Sequence, residues 1–321
     1  MNKKSLKQIQ SLITTPAKSL LMLHRSPDGD TIGSNLAMYH LLRSSGHTVT
    51  IVSKDEVPEA FMFLPEAKQI QVVPPQEVPY EQYDIFWSID MADPKLSGGE
   101  IELPDDLKTV IVDHHISNTG WGTINVIQPD SIAAAEVLYQ IINSLKMTIT
   151  PQIALCLLTG LATDSGFFQY CRNERPFYTA SALIEHGAAY QTIVVNLTKQ
   201  RSVEDLQFIG KAIEHLTLIP EKNMCYIAIP HDVFEAYCSE DSSKTDMLTT
   251  YLSSVKGAAF GVLFVEKEPQ KIRMSFRAKS DAVDVSKMAA QLGGGGHKAA
   301  AGARIDGKTL EEVIGIVTNL V

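Results

Sequence analysis

The sequence predicts an α/β protein: a parallel sheet with helices on both faces, followed by a smaller mixed α/β C-terminal domain. Three observations carry this expectation. Short apolar runs alternate with longer amphipathic stretches through the first half. Several of those runs stop abruptly at a histidine or an aspartate, as strands do where a parallel sheet opens onto a ligand crevice. From about residue 221 the texture changes to strand-like runs, one short helix and a glycine cluster.

Residues 19–24 read as a buried strand ending at His24, and residues 31–45 as a helix with Ile32, Leu36, Tyr39 and Leu42 at helical spacing. Gly46 closes that helix, and residues 48–53 form the next strand. Residues 83–90 and 109–113 are two more strands, each apolar and then suddenly acidic. Residues 131–145 and 151–164 are helical, the second opening with proline. Residues 180–218 read as mostly helical, part of them connecting two domains. Beyond them, residues 224–230, 257–266 and 271–278 resemble strands, and residues 284–292 a helix running into Gly293 to His297.

A chain of 321 residues exceeds what one hydrophobic core usually organises. The expected division is a catalytic domain over 1–195, a helical linker over 196–220 and a substrate-binding domain over 221–321. With 45% apolar and 20% charged residues the composition is that of a soluble globular protein. The net charge of −9 argues against a broad basic surface for long nucleic acid, but not against a short anionic substrate. Four cysteines without a Cys-x-x-Cys pair, and no run of membrane-spanning length, point to a cytoplasmic protein with ordinary thiols.

Four segments carry candidate chemistry. His24, Asp28 and Asp30 lie within seven residues on a strand-to-helix turn, where one aspartate could instead simply cap the helix. Asp90 follows a strand, with Asp93 before a proline as the better turn former. Asp113, His114 and His115 end another strand. Adjacent side chains diverge, so the two imidazoles have different tasks. Asp164 interrupts an apolar helix, where an unpaired carboxylate would be costly. Two histidines and four aspartates mix imidazole with hard oxygen, a donor set for manganese, with magnesium or cobalt as alternatives. Two such ions about 3.5–4 Å apart suit hydrolysis of a phosphate ester. In the C-terminal part, Gly293 to Gly296 form either a flexible link or a loop whose backbone N–H groups approach phosphate, with His297, Arg277 and Lys279 favouring the second.

The set His24-x3-Asp28-x-Asp30, Asp90, Asp113-His114-His115 and Asp164 resembles, in order, the four motifs of the DHH phosphoesterase superfamily. The segments 275–279 and 293–302 are similar to its DHH-associated C-terminal domain. The resemblance implies that His24, Asp28 and Asp90 hold one cation and Asp30, His114 and Asp164 a second, with Asp90 bridging. It implies that Asp113 orients the histidines and that His115 meets the scissile phosphate or the departing oxygen. Arg277, Lys279, Gly294, Gly295, Gly296 and His297 would hold the substrate. Within the superfamily, the length and single glycine-rich C-terminal domain are similar to the nanoRNase/pAp phosphatase branch. That implies very short single-stranded RNA, or the 3′-phosphate of adenosine 3′,5′-bisphosphate (pAp), as substrate, with no long duplex and no membrane as partners, and with a homodimer as one option for assembly. The alternatives are a linear dinucleotide phosphodiesterase, a pyrophosphatase or exopolyphosphatase, or a catalytically silent nucleotide-binding protein.

Overall fold

The computed structural model describes residues 2–239, 242–280 and 282–320, and the chain divides into two compact units, Met1–Gln200 and Arg201–Val321. The first unit contains six strands: β1 (Lys18–Met22), β2 (Thr48–Ser53), β3 (Ile70–Val72), β4 (Ile85–Ile89), β5 (Lys108–Asp113) and β6 (Ile124–Ile127). They form one sheet in the order β3-β2-β1-β4-β5-β6. Every pairing within it is parallel. The chain order reverses between β1 and β4, so the crevice beyond their carboxyl ends is where this topology binds ligands.

The strands are buried on both sides, which is why they read as continuous apolar runs rather than alternating ones. On one face Leu21, Leu23, Trp87 and Ile89 pack with α1 (Lys3–Thr14), α2 (Gly29–Ser44), α3 (Ala134–Ser144) and α4 (Pro151–Asp164). Two further helices, α5 (Arg175–Glu185) and α6 (Tyr190–Thr198), complete that layer. On the other face Leu20, Met22 and Phe86 meet Val78, Tyr80 and Met91, which come from short 3-10 turns and loops. Helices α2 and α4 pack backbone to backbone at Gly33, where an added Cβ would lie 2.4 Å from the Cys156 carbonyl.

The second unit contains α7 (Val203–Glu214), β7 (Leu216–Ile219), β8 (Met224–Ile229), α8 (His231–Cys238), α9 (Thr249–Ser254), β9 (Phe260–Glu268), β10 (Lys271–Ala278), α10 (Val285–Gln291), β11 (Gly295–Gly296), β12 (Ala300–Asp306) and α11 (Leu310–Asn319). Its mixed sheet runs β11-β12-β10-β9-β8-β7. Phe208, Val233 and Leu252 from α7, α8 and α9 fill one core cluster. Val285, Ala289, Val313 and Val317 from α10 and α11 fill another.

The stretch expected to link the domains has a different role here. Helix α7 starts with a capping box between Ser202 and Asp205 and buries Phe208, Ile209 and Ala212 in the second unit's core. Helix α3 begins at Ala134 rather than near residue 131, because the Glu136 carboxylate accepts from the Ile132 N–H and holds the preceding residues in a turn. All four cysteines are free thiols, three of them buried. Among the described residues no helix is long and apolar enough to cross a membrane.

Candidate metal centre

Beyond β1 the chain turns sharply through Ser26, at φ 49°, and enters α2 at its N-cap, Asp28. One Asp28 oxygen accepts from the N–H groups of Asp30 and Thr31, both at 3.1 Å. Asp28 is therefore a helix cap, and it also stands 3.7 Å from His24 Nε2. His24 donates its Nδ1–H to the Arg25 carbonyl at 2.8 Å, which leaves Nε2 as the nitrogen available to a cation.

Asp90 sits immediately past β4 with φ +64°, in the left-handed region that a non-glycine residue occupies only at a cost. The twist turns a 2% exposed carboxylate into the crevice. Its Oδ2 lies 3.6 Å from His24 Nε2 and its Oδ1 lies 3.4 Å from His114 Nε2. Aspartate tolerates this conformation better than most residues.

His114 and His115 follow β5 with ring centres 4.5 Å apart and their planes tilted by 56°. His114 donates its Nδ1–H to the Ser131 carbonyl at 3.3 Å. Its Nε2 lies 3.3 Å from Asp164 and 4.0 Å from Asp30. His115 instead donates Nδ1–H to Asp113 at 2.8 Å. Fully buried Asp113 also accepts from the backbone N–H groups of His114 and His115 and from the Asn118 amide at 2.5 Å.

Asp30, 1% exposed, accepts from the N–H groups of Ala134 at 2.6 Å and Ala135 at 2.9 Å, the unsatisfied donors at the start of α3. Gly160 on α4 makes room for it, since a Cβ there would lie 2.7 Å from an Asp30 oxygen. Asp164 is the last residue of α4, where the helix dipole disfavours a negative charge.

The electrostatics of these groups follow from their crowding. Burial, reinforced by the charges of Asp90 and Asp164, holds Asp30 well above the usual carboxylate range. Burial likewise pushes Asp164 up to about 7, with Asp90 and Asp28 adding to it and His114 opposing. Burial disfavours the charged form of His24, but hydrogen bonds to Asp28 and Asp90 outweigh it and raise the imidazole to about 10. His114 behaves alike, burial opposed by Asp90, Asp30 and Asp164, and also reaches about 10. Burial alone would raise Asp113, yet the hydrogen bonds from His115 and Asn118 win and lower it.

The donor atoms form two overlapping clusters, His24/Asp28/Asp90 and Asp30/His114/Asp164, each with its ligand atoms within 4.8 Å of one another. Asp90, Asp113, His114 and His115 form a third such group. Divalent cations fit this arrangement. Asp90 Oδ1 is buried without a hydrogen-bond partner among the described residues, and several carboxylates share a space with only imidazoles to balance them.

The remaining residues expected at the site lie in the second unit. Arg277, at the end of β10, pairs with Ala300 on β12, whose N–H and carbonyl are exchanged with His297. Arg277 and His297 thus bracket Ala300 in one row across the strands. Lys279 is exposed and reaches the Val255 carbonyl at 3.2 Å. The glycine run pairs with β12. Gly293 takes φ +75° after α10, and a Cβ on Gly294 would strike the Gly302 carbonyl at 2.1 Å. Gly295 and Gly296 form edge strand β11, and nothing stands within 4 Å of where a Cβ on Gly295 would be. A feature that sequence reading missed is the anchoring of Asp30 by α3, since no signal links residues more than a hundred positions apart.

Comparison with known proteins agrees with this architecture. Residues 18–161 match the family model for the DHH family N-terminal domain, and residues 232–321 that for the DHHA1 domain. The chain carries a DHH domain followed by a DHHA1 domain and is a metal-dependent phosphoesterase. It is 28% identical over 295 residues to a protein of Thermus thermophilus named bifunctional oligoribonuclease and PAP phosphatase NrnA, covering 90% of this chain and 84% of that one. It is 25% identical to the protein of the same name from Mycoplasma genitalium, covering 96% and 95%. In fold it is similar to an exopolyphosphatase-related protein from Bacteroides fragilis, with TM-score 0.90 and 21% identity over 98% of this chain and 96% of that one.

Proposed function

We propose that the chain hydrolyses very short oligoribonucleotides to nucleoside 5′-monophosphates and removes the 3′-phosphate of pAp. The observation that carries the two-metal reading is Asp90, whose two oxygens approach imidazoles of both ligand clusters. His24, Asp28 and Asp90 would hold one cation and Asp30, His114 and Asp164 the other, with Asp90 shared and manganese the first candidate by donor type. Bound cations supply charge neutralisation for the phosphoryl group and a water of lowered pKa. His115 commits its Nδ1–H to Asp113, a contact that favours the imidazolium, and in that charged form its Nε2–H would meet a phosphoryl oxygen or protonate the leaving oxygen. Asp113 fixes that ring orientation and both histidine backbones. Arg277, Lys279, His297 and the glycines of β11 are assigned to the substrate's terminal phosphate or base.

The names of the Thermus and Mycoplasma relatives support this substrate class. The net charge of −9 favours short anionic substrates over long duplexes. The test is to incubate manganese-loaded protein with an RNA dinucleotide, pAp and pyrophosphate. Turnover of the first two above pyrophosphate is expected. A preference for pyrophosphate, or metal uptake with no turnover of any, would overturn the reading.

A further inference from the structure

A cavity of about 540 Å³ lies in the first unit, between residues 129–132 and 170–176. That volume is within the roughly 300–1,000 Å³ of small-ligand sites. Both of its walls are continuous with candidate metal ligands. On one wall, Ser131 offers its carbonyl to His114. The other wall follows Asp164 through three consecutive left-handed residues, Gly166, Phe167 and Phe168, at φ 58°, 53° and 69°. Two phenylalanines in that region are strained, and the turn is held by Ser165, which accepts from Phe168 N–H through its hydroxyl and from Tyr170 N–H through its carbonyl.

The lining chemistry is unusual for an acidic protein. Arg172 and Arg175 both line the cavity, against one acid in the lining, Asp130. The Arg175 guanidinium donates to the Asp130 backbone carbonyl and the Asn173 amide oxygen, neutral acceptors that position its charge without cancelling it. Tyr170, also in the lining, is 66% exposed. Ser131, itself 4% exposed, has a hydroxyl without a hydrogen-bond partner among the described residues. Neighbouring Gln128 Nε2 and Glu136 Oε1 are buried and unpartnered in the same way.

We propose that this cavity is a nucleotide subsite beside the metal centre, with Arg172 and Arg175 receiving a phosphate and Tyr170 stacking on the base. It rests on the reading above that the substrate is a nucleotide, and it places a nucleoside monophosphate unit next to the scissile bond. A guanidinium pair supplies bidentate contacts to phosphate, and an exposed phenol ring stacks on any base, so the subsite would select for nucleotides without selecting among bases.

The test is calorimetric titration of the manganese-loaded full chain with adenosine 5′-monophosphate, for the wild type and for Tyr170→Ala and Arg172→Gln. The wild type should bind, and each variant should bind about tenfold more weakly at unchanged metal content. Tyr170 is largely exposed, so its variant should melt where the wild type does. No binding by the wild type, or equal affinity in all three proteins, overturns the subsite. Hydrolysis of an RNA dinucleotide by the wild type, measured in parallel, shows separately whether the proposed function itself holds.

Discussion

Asp113 Oδ1 lies 2.8 Å from His115 Nδ1, and the same oxygen accepts the backbone N–H groups of both histidines of the motif. One buried carboxylate therefore sets the ring orientation of His115 and the path of the chain beneath it. Replacing His115 by Gln should lower kcat by about 10²- to 10⁴-fold while bound manganese per chain stays constant. Steady-state kinetics with metal analysis would show this, and near-normal kcat would remove His115 from the chemistry.

Asp90 predicts a different pattern. Asp90→Asn keeps a residue tolerant of the left-handed backbone, but it loses the charge shared by both clusters. Manganese content and turnover should both collapse. Retention of manganese-dependent turnover would show that Asp90 does not bridge.

The raised imidazoles make a pH prediction. His24 and His114 titrate near 10 in the folded chain against 6.5 for an ordinary histidine. Between those limits the folded state holds protons that the unfolded state has lost. Their contribution to stability is complete below about 6.5 and disappears as pH rises through about 10. Metal-free protein should therefore become easier to denature with urea from pH 7 to pH 10. Cations bind deprotonated imidazoles and carboxylates, and His24, His114, Asp30 and part of Asp164 hold protons near pH 7 without metal, so manganese uptake there should release at least two protons. Calorimetry in two buffers of different ionisation enthalpy would count them, and zero release would contradict the ligand assignment.

The glycine run separates structure from recognition. Gly294→Ala must push against the Gly302 carbonyl and should destabilise the second unit by about 1–3 kcal/mol. Gly295→Ala meets no atom within 4 Å, so the fold should tolerate it. If β11 approaches phosphate, its added methyl should raise KM without changing the melting temperature. Arg277→Ala should likewise raise KM about tenfold with little effect on kcat. An unchanged KM in both would place substrate capture elsewhere.

The parts of this fold that the sequence discloses are those with a strong local signal. Strands β1, β2, β4 and β5 announce themselves as apolar runs because both of their faces are covered, and α2 and α4 by periodicity and caps. Helix α1 lies outside the expected elements, although Leu6, Ile9 and Ile13 recur at helical spacing along it. Strand β12 is rich in alanine and glycine, poor strand formers, and is extended because β10 and β11 pair with it on either side. The six donor residues stand out as acids and histidines at strand and helix ends. The left-handed turn at Asp90 and the seat of Asp30 on α3 do not, because they depend on contacts between distant segments.

That seat of Asp30 has a further meaning. Two amide hydrogens at the head of α3 grip its carboxylate through protein contacts alone, so this proposed ligand keeps its place whether or not an ion is present. Stripping by a chelator should then idle the enzyme without unravelling it, and resupplying manganese should restore turnover as fast as the ion diffuses in.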